Sequence, residues 1–186
     1  NCIIAGHPIL EHYGRRPSSW RYIEQVSRVT VDEQNLDEIE KSNKPKMFFY
    51  LDARTPSLIQ ILKAFSKQFT LFGFISGAIT SSENLASVDI HVFRSPLNVA
   101  QAMAMSSVIL SNGGVGLTYN SIKANKPMFF IPLHLEQSMI CSRLFEKKIA
   151  IILSKDMTLE KISPYGSYVY QNLSKLESRI EHIRME

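Results

Sequence analysis

Residues 108–137 read VILSNGGVGLTYNSIKANKPMFFIPLHLEQ, and their order decides the fold. Val108–Leu110 is a short apolar run that suits a buried strand, and Ser111, Asn112, Gly113 and Gly114 turn the chain. Val115–Ala124 reads as a helix that Lys126-Pro127 stops, since proline cannot continue one. Met128–Ile131 is a second apolar run, and after Pro132 the pair Glu136-Gln137 opens another helix. Strand, glycine turn, helix, strand, turn and helix make a βαβ unit with a second loop on the same edge of the sheet. Glycines between a strand and a helix let the backbone take positive φ and let a ligand come close. The first free N–H groups of the helix lie there too, and the helix dipole favours an anion. A glycine pair in this place also serves simply as a turn, so spacing alone leaves both readings open.

The same alternation runs outward on both sides. Met47–Leu51, Phe69–Ser76, Val88–Phe93 and Ile149–Leu153 read as further strands. Thr55-Pro56 fits a helix cap followed by proline at the first position, with Leu58, Ile61, Leu62 and Phe65 on one buried face. Thr80–Asn84 is a polar loop, and Ser95-Pro96 leads into a helix with Val99, Ala102 and Met103 inward. The helix opened by Glu136-Gln137 continues to Lys147 and buries Ile140, Leu144 and Phe145. Thr158–Ile162 reads as a helical turn, Pro164 and Gly166 as a break, and Tyr168–Met185 as a terminal helix. Its apolar stripe is Leu173, Leu176, Ile180 and Ile183. The whole is an α/β fold, a Rossmann-like open parallel sheet of about six strands with helices on both faces. Ligands of such sheets bind beyond the carboxyl ends of the strands, where the loops 52–56, 93–96, 111–116 and 132–137 all lie.

Residues 1–43 read as an interdomain linker with the end of a preceding domain, and 44–186 as the Rossmann-like domain. Cys2–Ala5 already has strand character at the start, so the chain is expected to continue from a longer protein. Ser18 or Ser19 is expected to cap a short helix through Trp20, Ile23 and Val26, and Asp32–Lys46 reads as a polar surface linker. His7, His12, Arg15 and Arg16 read as solvated linker residues, with the two arginines kept as outside site candidates.

Apolar residues make up 45% of the 186, ample for a packed core. The charge of +4 is a mild excess, and it suits an anionic small ligand or peripheral contact with an anionic membrane. No nucleic acid is expected as a partner, because no basic run interleaved with aromatics is present. Cys2 and Cys141 are far apart and read as packing residues of a reduced, cytoplasmic protein. There is no apolar run of about 18 residues to span a membrane, and no signal peptide is visible.

The stretch 108–137 resembles the donor-binding half of GT-B nucleotide-sugar glycosyltransferases, from the MurG-like enzymes to the UDP-glycosyltransferases. Ser111-Asn112-Gly113-Gly114-Val115-Gly116, Lys126-Pro127, Pro132 and Glu136-Gln137 follow that group's order at compatible spacing. Two positions depart: Asn120 stands where the family has an acidic residue for the ribose, and Leu117 where it has a small hydroxyl residue. The resemblance implies metal-independent transfer from a nucleotide-diphosphate sugar, a UDP-sugar first, to an unknown acceptor. The sugar nucleotide is a substrate, and no cofactor is implied. Asn112, Gly113, Gly114, Val115 and Gly116 would hold the diphosphate, with Arg54 beside them. Asn120 would take the ribose, Phe93 the base, and Glu136 and Gln137 the sugar. No metal site is implied, and no Asp-x-Asp pair occurs. The general base would lie in an N-terminal domain on the same or another chain, so no catalytic residue is assigned. The terminal helix would cross back to that domain. Two alternatives stay open: a non-catalytic module of the same fold, and a nucleotide-sugar epimerase.

Overall fold

The computed structural model describes residues 3–5, 8–11, 16–23, 36–77, 89–154 and 159–185. His7, His12, Arg15, Val26, the loop Thr80–Asn84 and Thr158 lie outside them. Six strands form one parallel sheet: β3 (Lys46–Asp52), β4 (Thr70–Ser76), β5 (Ile90–Phe93), β6 (Val108–Ser111), β7 (Met128–Phe130) and β8 (Ala150–Ile152). Their order is β5-β4-β3-β6-β7-β8. A separate parallel pair joins β1 (Ile3–Ala5) to β2 (Arg21–Ile23). The chain builds outward from β3 to β5 in one direction, then returns and builds from β6 to β8 in the other. The switch point therefore falls between β3 and β6, which pair directly from Met47↔Val108 to Tyr50↔Ser111.

Alternation along the strands makes two cores. Met47, Phe49, Leu51, Leu71, Val108, Leu110 and Phe129 share one face with Ile61, Leu62 and Phe65 of α2 (Leu58–Phe65) and with Ile162 and Val169 of α6 (Leu159–Gln171). Phe48, Phe72, Ile109, Met128 and Phe130 share the other. There they pack with residues of α3 (Val99–Met105), α4 (Val115–Lys123), α5 (Leu135–Glu146) and α7 (Leu173–Met185). Both faces carry large rings: Phe48, Phe49, Phe65, Phe69, Phe72, Phe129 and Phe130 are among the largest fully buried side chains. Cutting one of these to alanine would cost about 3–5 kcal/mol. No helix among the described residues is long and apolar enough to cross a membrane.

Several local expectations are corrected. Over the described residues of the segment after Ser18, Arg21–Ile23 is strand β2 and not the expected helix. The polar stretch before β3 is not all surface. Leu36, at the N-cap of the helical turn α1 (Asp37–Glu40), and Ile39 within it are buried in the core, as are Ile9 and Leu10 of a 3-10 turn. Phe145 is 55% exposed, because only Ile140, Cys141 and Leu144 of α5 point at the sheet. Pro164 and Gly166 lie inside α6, and the break falls at Asn172 instead. Gly166 is needed for packing there, since a Cβ would press on the Phe65 ring at 3.2 Å. The stripe on α7 is as expected, and it packs within this chain, on both of its cores. Leu173 and Leu176 pack on one face, Ile180 and Ile183 on the other, and Arg184 Nη1 donates to the Lys123 carbonyl at 2.7 Å.

Cys141 is fully buried beneath the turn before α4, and burial pushes its thiol up to about 12. It therefore stays protonated and shielded across ordinary pH. In a Cys2→Ser background, a thiol reagent at pH 8 is expected to label Cys141 only at the rate of unfolding. Fast labelling of folded protein would contradict this packing.

Candidate functional site

The loops after β3, β6 and β7 meet at the switch point, and Asn112 ties them together. Its Oδ1 accepts the Asp52 N–H at 2.8 Å. Its Nδ2 donates to the Ile131 carbonyl at 2.8 Å and to Thr55 Oγ1 at 3.0 Å. Asn112 and Thr55 are both buried. The side-chain amide expected to face a diphosphate thus has both donor hydrogens committed within the protein, one to each flanking loop. Thr55 is drawn into the same network, so it does not cap α2. That helix starts two residues later than expected, after Ser57 in a left-handed conformation with no side-chain cap.

The two central glycines do different jobs. Gly113 is buried with φ +86, its N–H donates to Ser111 Oγ at 3.2 Å, and a Cβ there would run into Cys141 Sγ. Gly114 is exposed with φ −64, and a Cβ there would meet nothing within 4 Å. Gly114 begins α4 without any side-chain cap. Thr118 sends both its N–H and its hydroxyl to the Gly114 carbonyl, at 3.0 and 2.8 Å. The N–H groups of Val115, Gly116 and Leu117 stand in the first turn, where no helical carbonyl precedes them. An open, electropositive helix start lies beside the carboxyl ends of β3 and β6.

Arg54 lies in the loop after β3, which Asn112 joins to the turn before α4 through the Asp52 N–H, and its side chain is held by Asp52. Its Nε and Nη2 donate to Asp52 Oδ1 and Oδ2 at 2.8 and 2.7 Å, and its backbone N–H also reaches Oδ1 at 2.8 Å. The Arg54 guanidinium and backbone N–H hold the Asp52 carboxyl at about 2, well below the usual range. The folded value is the lower one, so this contribution is present above the ordinary carboxylate range and is lost as pH falls through the folded value.

The other expected site residues fall unevenly around this centre. Asn120 Nδ2 donates back to the Gly116 carbonyl at 2.8 Å, so the amide lies along its own helix. Gln137 Oε1 accepts the Leu133 N–H at 2.8 Å, closing the loop into α5, while Glu136 in the first turn of α5 is exposed. The Gln137 carbonyl lies 3.5 Å from the position of a Gly113 Cβ, which puts the start of α5 beside the glycine turn. Phe93 is distant from it: β5 is three strands from β6, and the ring packs partly on the core. Arg16 makes a two-pronged pair with Glu11 at 2.9 and 3.0 Å and lies over the Trp20 ring. Sequence reasoning placed Thr55 and Ser111 in the site loops but missed their inward hydrogen bonds, to Asn112 and from the Gly113 N–H. The available signal was a small polar residue at the end of an apolar strand, where burial forces it to find a partner.

No family model matches the chain, and no curated protein matches it by sequence. Solved structures do. The spinosyn rhamnosyltransferase SpnG superposes with a TM-score of 0.71 at 10% identity, over 94% of this chain and 51% of that one. The glycosyltransferase SnogD from Streptomyces nogalater gives 0.65 at 13% identity, over 99% and 56%. This is the fold of the C-terminal half of GT-B glycosyltransferases. The forosaminyltransferase SpnP gives 0.63 at 15% identity, over 90% of this chain and 48% of that one. The chain spans about half the length of the structures it matches. SpnG has also been solved complexed with thymidine diphosphate, and this chain superposes on that complex with a TM-score of 0.70.

Proposed function

We propose that the chain is the donor-binding half of a glycosyltransferase and holds the diphosphate of a nucleotide sugar at the start of α4. The observation that carries this reading is the uncapped helix start at the switch point, opened to the outside by Gly114. Backbone N–H groups of Val115 and Gly116 would donate to the phosphates, and Gly113 would shape the turn. The same groups would stabilise the charge that grows on the departing nucleoside diphosphate, so transfer needs no metal ion in this scheme. Asn112 acts by fixing the three loops. Glu136 is the exposed candidate for sugar hydroxyls. The acceptor and the general base come with the other half.

A second reading, a binding module that kept the fold and lost the donor, has support of its own. Asn112, Asn120 and Gln137 all bond to this chain's own backbone, and Arg54 is on Asp52. Calorimetric titration with UDP, TDP and GDP separates the two. The donor reading expects saturable one-to-one binding of at least one, weakened at least about tenfold by Gly114→Val, which fills the space before the helix start. Folded protein that binds none of the three would favour the module instead.

A further inference from the structure

We propose that Asp52 is a built-in competitor for the guanidinium of Arg54, which changes partner from Asp52 to the diphosphate when a nucleotide binds. The inference rests on the donor reading above. Asp52 closes β3 at the switch point, and its N–H is fixed on Asn112, the residue before Gly113. Its carboxylate takes the Arg54 backbone N–H and both prongs of the guanidinium fork. That planar fork fits a carboxylate and a phosphate with the same two-bond geometry, so the carboxylate occupies Arg54 as a phosphate oxygen pair would. The Arg54 side chain is 83% exposed and that of Asp52 25% exposed, so the arginine is free to swing about an anchored carboxylate. An ion pair this exposed adds little to stability, and exchanging its partner costs little.

The arrangement has a consequence for ligand choice. Asp52 stays ionised at any working pH and repels an incoming anion. Entry is favoured only for a ligand whose charge both outcompetes the carboxylate for Arg54 and draws on the helix start. A diphosphate meets both conditions, and a neutral sugar meets neither.

The test is a titration of the 186-residue chain and of Asp52→Asn and Arg54→Ala with UDP and with inorganic pyrophosphate. The Arg54 Nε–H resonance, assigned through Arg54→Lys, is followed alongside. Asparagine keeps the acceptor for the Arg54 backbone N–H, so the loop is preserved. Asp52→Asn is expected to tighten both ligands about three- to tenfold and Arg54→Ala to weaken them about tenfold, with smaller differences at high salt. The Arg54 resonance should move on saturation with UDP. Binding by Asp52→Asn alone would mean that the parent chain makes no such exchange, and would overturn it. If the parent binds UDP while Asp52→Asn is unchanged or weaker and the Arg54 resonance stays in place, the exchange is wrong and the donor reading stands. If none of the three proteins binds either ligand, both ideas fall.

Discussion

Replacing Gly113 with alanine is expected to cost about 3 kcal/mol of folding stability, while the same change at Gly114 costs less than about 0.5 kcal/mol. The two residues are neighbours in one turn, and sequence treats them alike. Their geometry does not. Gly113 has φ +86, a region that L residues enter only with strain, and its Cβ would land on Cys141 Sγ. The Gln137 carbonyl at 3.5 Å and Phe130 Cδ1 at 3.7 Å would lie in ordinary contact with the same Cβ, so the sulfur is what must shift. Gly114 has an ordinary φ of −64 and open space around it. Urea unfolding measures both effects, with the m-value unchanged if only the native state is affected. A Cys141→Ala change should return roughly half of the Gly113→Ala loss, because it removes the clash and leaves the backbone strain. Gly113→Ala as stable as the parent would mean that this turn is not the one described. The functional prediction runs the other way. Gly114→Ala folds normally but places a methyl group before the helix start, so ligand binding falls without loss of stability.

The fold was legible because each strand carries its own evidence. The six apolar runs all became strands of one sheet, within one or two residues of the expected bounds. The faces of α2 and α7 followed from spacing alone. Errors gathered where one tertiary contact overrides a local signal. Thr55-Pro56 has the residues of a helix start, yet its hydroxyl answers Asn112 across the sheet. Pro164 and Gly166 have the residues of a break, yet α6 continues through them, with Gly166 pressed against Phe65. The centre was legible as a set of loops but not as a set of contacts. Chain order puts the loops after β3, β6 and β7 on one edge. Which side chains turn inward depends on pairs 57 and 60 residues apart, and no local pattern encodes those.

Those long pairs make Asn112 the other position of large effect. Asn112→Ala is expected to cost about 3 kcal/mol, because three hydrogen bonds vanish and the Asp52 N–H and Ile131 carbonyl are left without their partner. Asn112→Asp tests the same geometry with one atom changed. The carboxylate still accepts from Asp52 N–H, but it now faces the Ile131 carbonyl with an acceptor and buries a charge. Both effects raise its folded pKa above the unfolded value, so the protonated form is the one that fits. The deficit of Asn112→Asp should therefore shrink as pH falls from about 7 toward about 4, while that of Asn112→Ala does not follow. Thr55→Val supplies the control. Alone it should cost about 1 kcal/mol, and in Asn112→Ala close to nothing, since the bond it breaks is already gone. Additive losses would show that the Thr55 hydroxyl is held by something other than Asn112, and the junction between the β3 and β6 loops would need another account.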